Sequence, residues 1–177
     1  MNSPPAAEAL YAAFSSNDDR SDLVEVSPGE MPEPYRGLLV HTFHMTVTVE
    51  GHYGDAVDVI VLETARHANI YARKIVLALR GSGRIVQFGI VAIDLSLLSS
   101  EVRAEILAEL TPLGRVLIEH NVLRHIEPAG YFRTEPSPKL CEWLQLETAE
   151  TLYGRLGVIH TDGKPAIRVL EILSPTE

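Results

Sequence analysis

The chain has 177 residues, 46% of them hydrophobic and 22% charged, enough for one domain with a sizeable buried core. Its formal net charge of −9 argues against a nucleic-acid surface, where Lys and Arg must neutralise phosphates, and against an anionic membrane surface. A small anionic ligand stays compatible with that charge, because a few arginines in a pocket override the global balance locally.

Cys141 is the one cysteine in the sequence, so an intramolecular disulfide is excluded and a reducing compartment is the simplest expectation. The start, "MNSPPAAEALYAAF", lacks a basic stretch followed by an apolar one and does not read as a secretory signal. No apolar run approaches the roughly 20 residues of a membrane span. These features point to a soluble, cytoplasmic protein. The sequence carries no signal for an oligomeric state.

In chain order, residues 1–30 read as an N-terminal extension, partly flexible, with a short helix around Ala6–Phe14. Residues 31–177 read as the domain. Pro28, Pro32 and Pro34 punctuate the approach to a short amphipathic helix at Tyr35–Leu39. From Phe43 the apolar period changes to two, so "HMTVTVEGHYG" predicts a strand and "DAVDVIVLETARHA" a second. Two further strands flank the turn Gly81-Ser82-Gly83. That turn, in "RGSGR", lacks the helix that follows a phosphate loop and reads as a hairpin.

"SSEVRAEILAEL" predicts a helix capped by Ser99 or Ser100, with Val102, Ile106 and Leu110 as its apolar stripe. Thr111-Pro112 fits the cap and first position of a second, short helix. "NVLRHIEPAGYF" reads as extended, Leu140–Leu146 as a helical turn, and the end as a hairpin around Asp162-Gly163. The whole predicts an α+β fold, a meandering antiparallel sheet with inserted helices, because antiparallel neighbours need only short turns.

Charges at apolar strand positions are the informative residues. In "YARKIVLALR", Arg73 shares a face with Tyr71, Ile75, Leu77 and Leu79, while Lys74 and Arg80 lie on the other. In "IRVLEIL", Glu171 shares parity with Ile167, Val169 and Leu173. Arg73 and Glu171 either pair, lie at strand ends in water, or face one cavity. In the last case the guanidinium would hold a ligand carboxylate bidentately and the glutamate would handle a proton. Arg124 in "VLRHIE" either adds a second cation to such a pocket or sits on the surface. The histidines, including His41, His44, His120 and His125, match no tight metal-ligand spacing. Trp143 reads as part of a small packing cluster.

Taken together, "HMTVTVE", "YARKIVLAL", "FGIVAI", "ILAELTPLGRVL", "LRHIE", "LYGRLGVIHTDGKP" and "LEILSP" resemble, in order and spacing, the chorismate lyase family. The resemblance runs from Phe43 to Pro175 and implies an antiparallel sheet with helices on one side and a ligand buried beneath helical flaps. It places the carboxylate-binding arginine on Arg73 and the catalytic glutamate on Glu171. Ligand-holding main-chain N–H groups fall on Met45 and Leu113, and the central-strand glycine on Gly89. The implied activity is cofactor-free removal of pyruvate from chorismate to leave 4-hydroxybenzoate, or a related reaction on a similar carboxylate. The alternative is a non-catalytic domain of the same fold that binds an aromatic acid, as in some bacterial transcription regulators. The sequence departs from the family in having Ile90 where an arginine follows the glycine. It is longer over 128–151, and has one extra residue between the "GKP" turn and Glu171, which requires a bulge or slipped register.

Overall fold

A computed structural model describes residues 3–176; Met1 and Asn2 of the N-terminal extension and Glu177 lie outside the described residues. The frame is one seven-stranded antiparallel sheet: β1 (Leu23–Val26), β2 (Val57–His67), β3 (Ile70–Leu79), β4 (Ile85–Asp94), β5 (Arg124–Thr134), β6 (Leu152–Thr161) and β7 (Lys164–Leu173). Their spatial order is β1-β5-β6-β7-β4-β3-β2. Two three-stranded meanders, β2-β3-β4 and β5-β6-β7, are thus zipped together by the β4–β7 ladder; short turns join their strands except between β5 and β6, where α6 is inserted.

Six helices accompany the sheet: α1 (Pro5–Tyr11), α2 (Tyr35–Leu39), α3 (Met45–Tyr53), α4 (Ser100–Ala108), α5 (Leu113–Glu119) and α6 (Pro138–Leu144). The helices α2 to α5 cover the face that carries Tyr71, Ile75, Leu77, Val91 and Val169. The opposite face, with Val76, Phe88, Ile90, Leu170 and Ile172, packs against α1 and α6. With both faces covered, β3 and β4 are buried along nearly their whole length. No helix among the described residues is long and apolar enough to cross a membrane.

The structure corrects several local expectations. "HMTVTVEGHY" is not a strand but the helix α3, closed by Gly54 in the left-handed conformation. Its alternating Thr and Val favour a strand locally. Tertiary packing prevails: Met45 and Val49, four residues apart, join one cluster with Val57, Ile75 and Leu77, while Val47 is left outside. The strand β1 carries no strong period and is absent from the sequence reading. Ser99 does cap α4, accepting from the Val102 N–H. That helix ends at Ala108, so Leu110, expected on its buried stripe, is 81% exposed. The next helix begins one residue later than expected, because Pro112 has an extended ψ of 139° and takes the cap position itself.

Lys74 fixes the N-terminal segment. It is fully buried on the α1/α6 face, with its Nζ 2.6 Å from Asp19 and 3.2 Å from Glu63, and it donates to the Ser16 carbonyl. Its ammonium also lies 4.7 Å from the Phe14 ring centre. Ala7, Leu10 and Tyr11 of α1 enter the core beside it. Removing one partner of a buried pair strands the other charge in low dielectric. Lys74→Met is therefore expected to cost about 3–5 kcal/mol in urea denaturation. The double substitution with Asp19→Asn should recover much of that loss.

Candidate functional site

A small cavity lies between the β3/β4/β7 face and the starts of α3 and α5. Its volume is about 50 Å³, room for roughly one or two waters. The sheet supplies Arg73, Ile75 and Leu77 from β3, Gln87, Gly89 and Val91 from β4, and Val169 and Glu171 from β7; Met45, Thr46, Leu113 and Gly114 form the roof. Arg73, Glu171, Met45, Leu113 and Gly89 are thus brought together.

The floor follows from strand parity and register. Arg73 pairs with Val91, Ile75 with Gly89, and Leu77 with Gln87, so every second residue of both strands faces the cavity. Gly89 in turn pairs with Glu171. The extra residue before Glu171 is absorbed at Ala166: Ile159 pairs with Ile167 but His160 with Pro165. This bulge lets Glu171 keep the cavity face. Ile90 points the other way, into the core against α1 and α6.

The roof is built from two helix starts. Met45 and Leu113 are the first residues of α3 and α5, so their N–H groups have no partner within their own helices. Gly114 lets these starts meet, since a Cβ there would lie 2.9 Å from Thr46 Oγ1 and 3.1 Å from His44 Cβ. Arg115 of α5 and Glu50 of α3 form an ion pair that ties the two helices together.

Arg73 and Glu171 do not pair. Arg73 is 1% exposed and makes no ion pair with a carboxylate among the described residues; its Nε has no hydrogen-bond partner. One Nη reaches the Ile106 carbonyl only at 3.5 Å. Burial lowers its pKa, against the raising influence of Tyr71 and Glu109. Tyr71 donates to Glu109, and burial with that carboxylate pushes the phenol up to about 12.

Glu171 is instead held by Arg155, whose Nε donates to Oε2 at 2.6 Å. The same guanidinium donates to the carbonyls of His41 and Phe43, each at 3.0 Å, and to that of Leu39 at 3.3 Å. Arg155 therefore clamps the α2–α3 connection onto the sheet. It was legible in "LYGRLGVIH" as a charge sharing parity with Gly157 and Ile159, and the sequence reading missed it. Gln87 was missed likewise, although it shares parity with Gly89 and Val91.

Arg124 does not line the cavity. It lies in a larger outer groove of about 680 Å³ with Phe43, Val47, Leu123 and His125. His44 borders both spaces, and its Nε2 accepts from Arg124 Nε at 2.6 Å. Burial, then Arg124 and Arg155, lower the His44 pKa from 6.5 to about 4.

No family model matches the chain, and no curated protein does. Solved structures do resemble it. PhnF from Mycobacterium smegmatis is 11% identical, with a TM-score of 0.53 over 77% of this chain and 65% of that one. The SA0254 gene product from Staphylococcus aureus is 11% identical, with a TM-score of 0.51 over 67% of this chain and 82% of its own. YydK from Bacillus subtilis, a possible transcriptional regulator, is 14% identical, with a TM-score of 0.49; the match spans 67% of this chain and 57% of YydK. At these identities the likeness shows the fold alone, an antiparallel sheet with packed helices.

The expected chorismate pyruvate-lyase activity is corrected by these findings. Neither PhnF nor the SA0254 product, the two with TM-scores above 0.5, is described as a lyase. Glu171, the residue expected to move a proton, is held by Arg155 through Oε2.

The site's pH dependence rests on His44. Its folded-state pKa lies below the ordinary 6.5, so the unfolded chain takes up the proton first. The His44 contribution is complete above about pH 6.5 and is lost as pH falls toward 4, amounting to at most about 3 kcal/mol. His44→Gln keeps an acceptor for Arg124 but does not titrate there. In denaturation at pH 7 and pH 4.5, the wild type should lose about 1–3 kcal/mol more than this variant.

Proposed function

We propose that this chain is a non-catalytic, effector-binding domain whose cavity takes a small molecule with an apolar body and a carboxylate. The carrying observation is Arg73, a guanidinium buried against the cavity without a carboxylate partner among the described residues. A desolvated cation costs several kcal/mol unless an anion compensates it. A ligand carboxylate would supply that anion in bidentate geometry. The N–H groups of Met45 and Leu113 would add donors from the roof. Ile75, Leu77, Val91, Leu113 and Val169 offer the apolar contact.

Glu171 and Arg155 serve here as positioning residues, with Glu171 orienting the arginine that clamps the 39–43 connection. The cavity of about 50 Å³ requires the α3–α5 roof to lift from the sheet floor before a ligand of benzoate size enters. Binding and lid position are then coupled, which is what an effector domain needs.

Thermal denaturation with acetate, propionate and benzoate, and with benzamide as the neutral control, tests this reading. At least one acid should raise the Tm, by a stabilisation of about 2.7 kcal/mol at a concentration 100 times its Kd, while benzamide does not. No stabilisation by any acid, or equal stabilisation by benzamide, would contradict it. Gly89→Ala adds a Cβ at ordinary contact distance, 3.4 Å from Ile75 Cδ1 and the Leu170 carbonyl. It should leave the ligand-free protein as stable or about 0.5–1 kcal/mol more stable, yet reduce the acid-induced shift by filling the floor.

A further inference from the structure

Gln87 is a second polar group that the cavity leaves unanswered. It is 3% exposed, lines the cavity, and its Oε1 has no hydrogen-bond partner. It stands on the same face of the sheet as Arg73. The register places the pair Leu77–Gln87 four positions along the strands from the pair Arg73–Val91, about 13 Å between the two levels. Between them lies the pair Ile75–Gly89, where the missing side chain keeps the floor low. The trough therefore has a cation at one level, an unsatisfied acceptor at the other, and apolar walls between.

A buried acceptor without a donor costs about 1–3 kcal/mol, and two such groups in one cavity ask for one molecule carrying both complements. Resting on the carboxylate-binding reading above, we infer that the ligand also bears a hydrogen-bond donor, a hydroxyl or amino group on the apolar body away from the carboxylate, and that Gln87 selects for it. The ligand class is thus a compact amino- or hydroxy-substituted carboxylic acid. The other polar side chains on the cavity are His44, Thr46 and Glu171. His44 is taken up by Arg124, and Glu171 by Arg155.

Calorimetric titration of the full chain with benzoate and its 3- and 4-amino and 3- and 4-fluoro derivatives tests the inference. The amino and fluoro groups are close in size, but only the first donates. One amino derivative should bind the wild type about 5–100-fold tighter than its fluoro counterpart. In Gln87→Leu that preference should collapse to within about twofold while benzoate itself still binds. Without ligand, Gln87→Leu should be no less stable than wild type, since it removes an unsatisfied polar atom. Equal binding of amino and fluoro acids, lost together in Arg73→Gln, would overturn the donor inference and leave the carboxylate reading standing. A marked loss of ligand-free stability in Gln87→Leu would overturn it too, by showing that the amide serves the fold. Absence of binding by every one of these acids would overturn both.

Discussion

Two consecutive cations in β3, Arg73 and Lys74, are both buried, and the sheet could not hold them without helices on each face. Strand alternation sends them to opposite sides. Lys74 meets Asp19, Glu63, a backbone carbonyl and three aromatic rings, so its charge is compensated and anchors the N-terminal segment. Arg73 meets a cavity instead and makes no ion pair among the described residues, with Tyr71 and Glu109 the groups that favour its charge. That contrast is the basis for the proposal that Lys74 is a structural cation and Arg73 a ligand-binding one.

The rest of the site preserves that difference. Glu171, the carboxylate on the cavity floor that could have neutralised Arg73, is held by Arg155. In the same geometry Arg155 satisfies three carbonyls of the 39–43 connection and fixes the approach to α3. Gly114 then allows α5 to rest on the start of α3, closing the roof over the guanidinium. The Arg115–Glu50 ion pair links these two helices across the roof. His44 joins this roof to the outer groove through Arg124, so one side chain borders both spaces.

Much of this was legible because a strand's period of two is rigid. Parity singled out Arg73 and Glu171 as charges among apolar neighbours, the resemblance placed them in one site, and the extra residue before Glu171 announced the bulge that the ladder shows at Ala166. Helix boundaries set by side-chain caps were legible too, as at Ser99. What failed was decided by contacts far apart in sequence. The alternating "TVTV" of α3 is a strand locally, and becomes a helix only because the sheet offers Met45 and Val49 a surface at helical spacing. The pairing of Glu171 with Arg155 rather than Arg73 follows from the β6–β7 hairpin; its turn at Asp162-Gly163 was legible, but the register that sets Arg155 opposite Glu171 depends on the bulge. The catalytic expectation came from resemblance, and it failed where that resemblance reached beyond the fold.

The most direct measurement is the stability of ligand-free Arg73→Met against wild type by urea denaturation, with benzoate binding followed in parallel. If Arg73 is held uncompensated for a ligand, replacing it with an apolar side chain of similar length should leave stability unchanged or raise it by about 1–4 kcal/mol, while carboxylate binding is lost. A loss of about 3 kcal/mol or more in the ligand-free protein, of the size expected when a buried pair is broken, would show that Arg73 serves the fold and would contradict its role as the ligand's anchor.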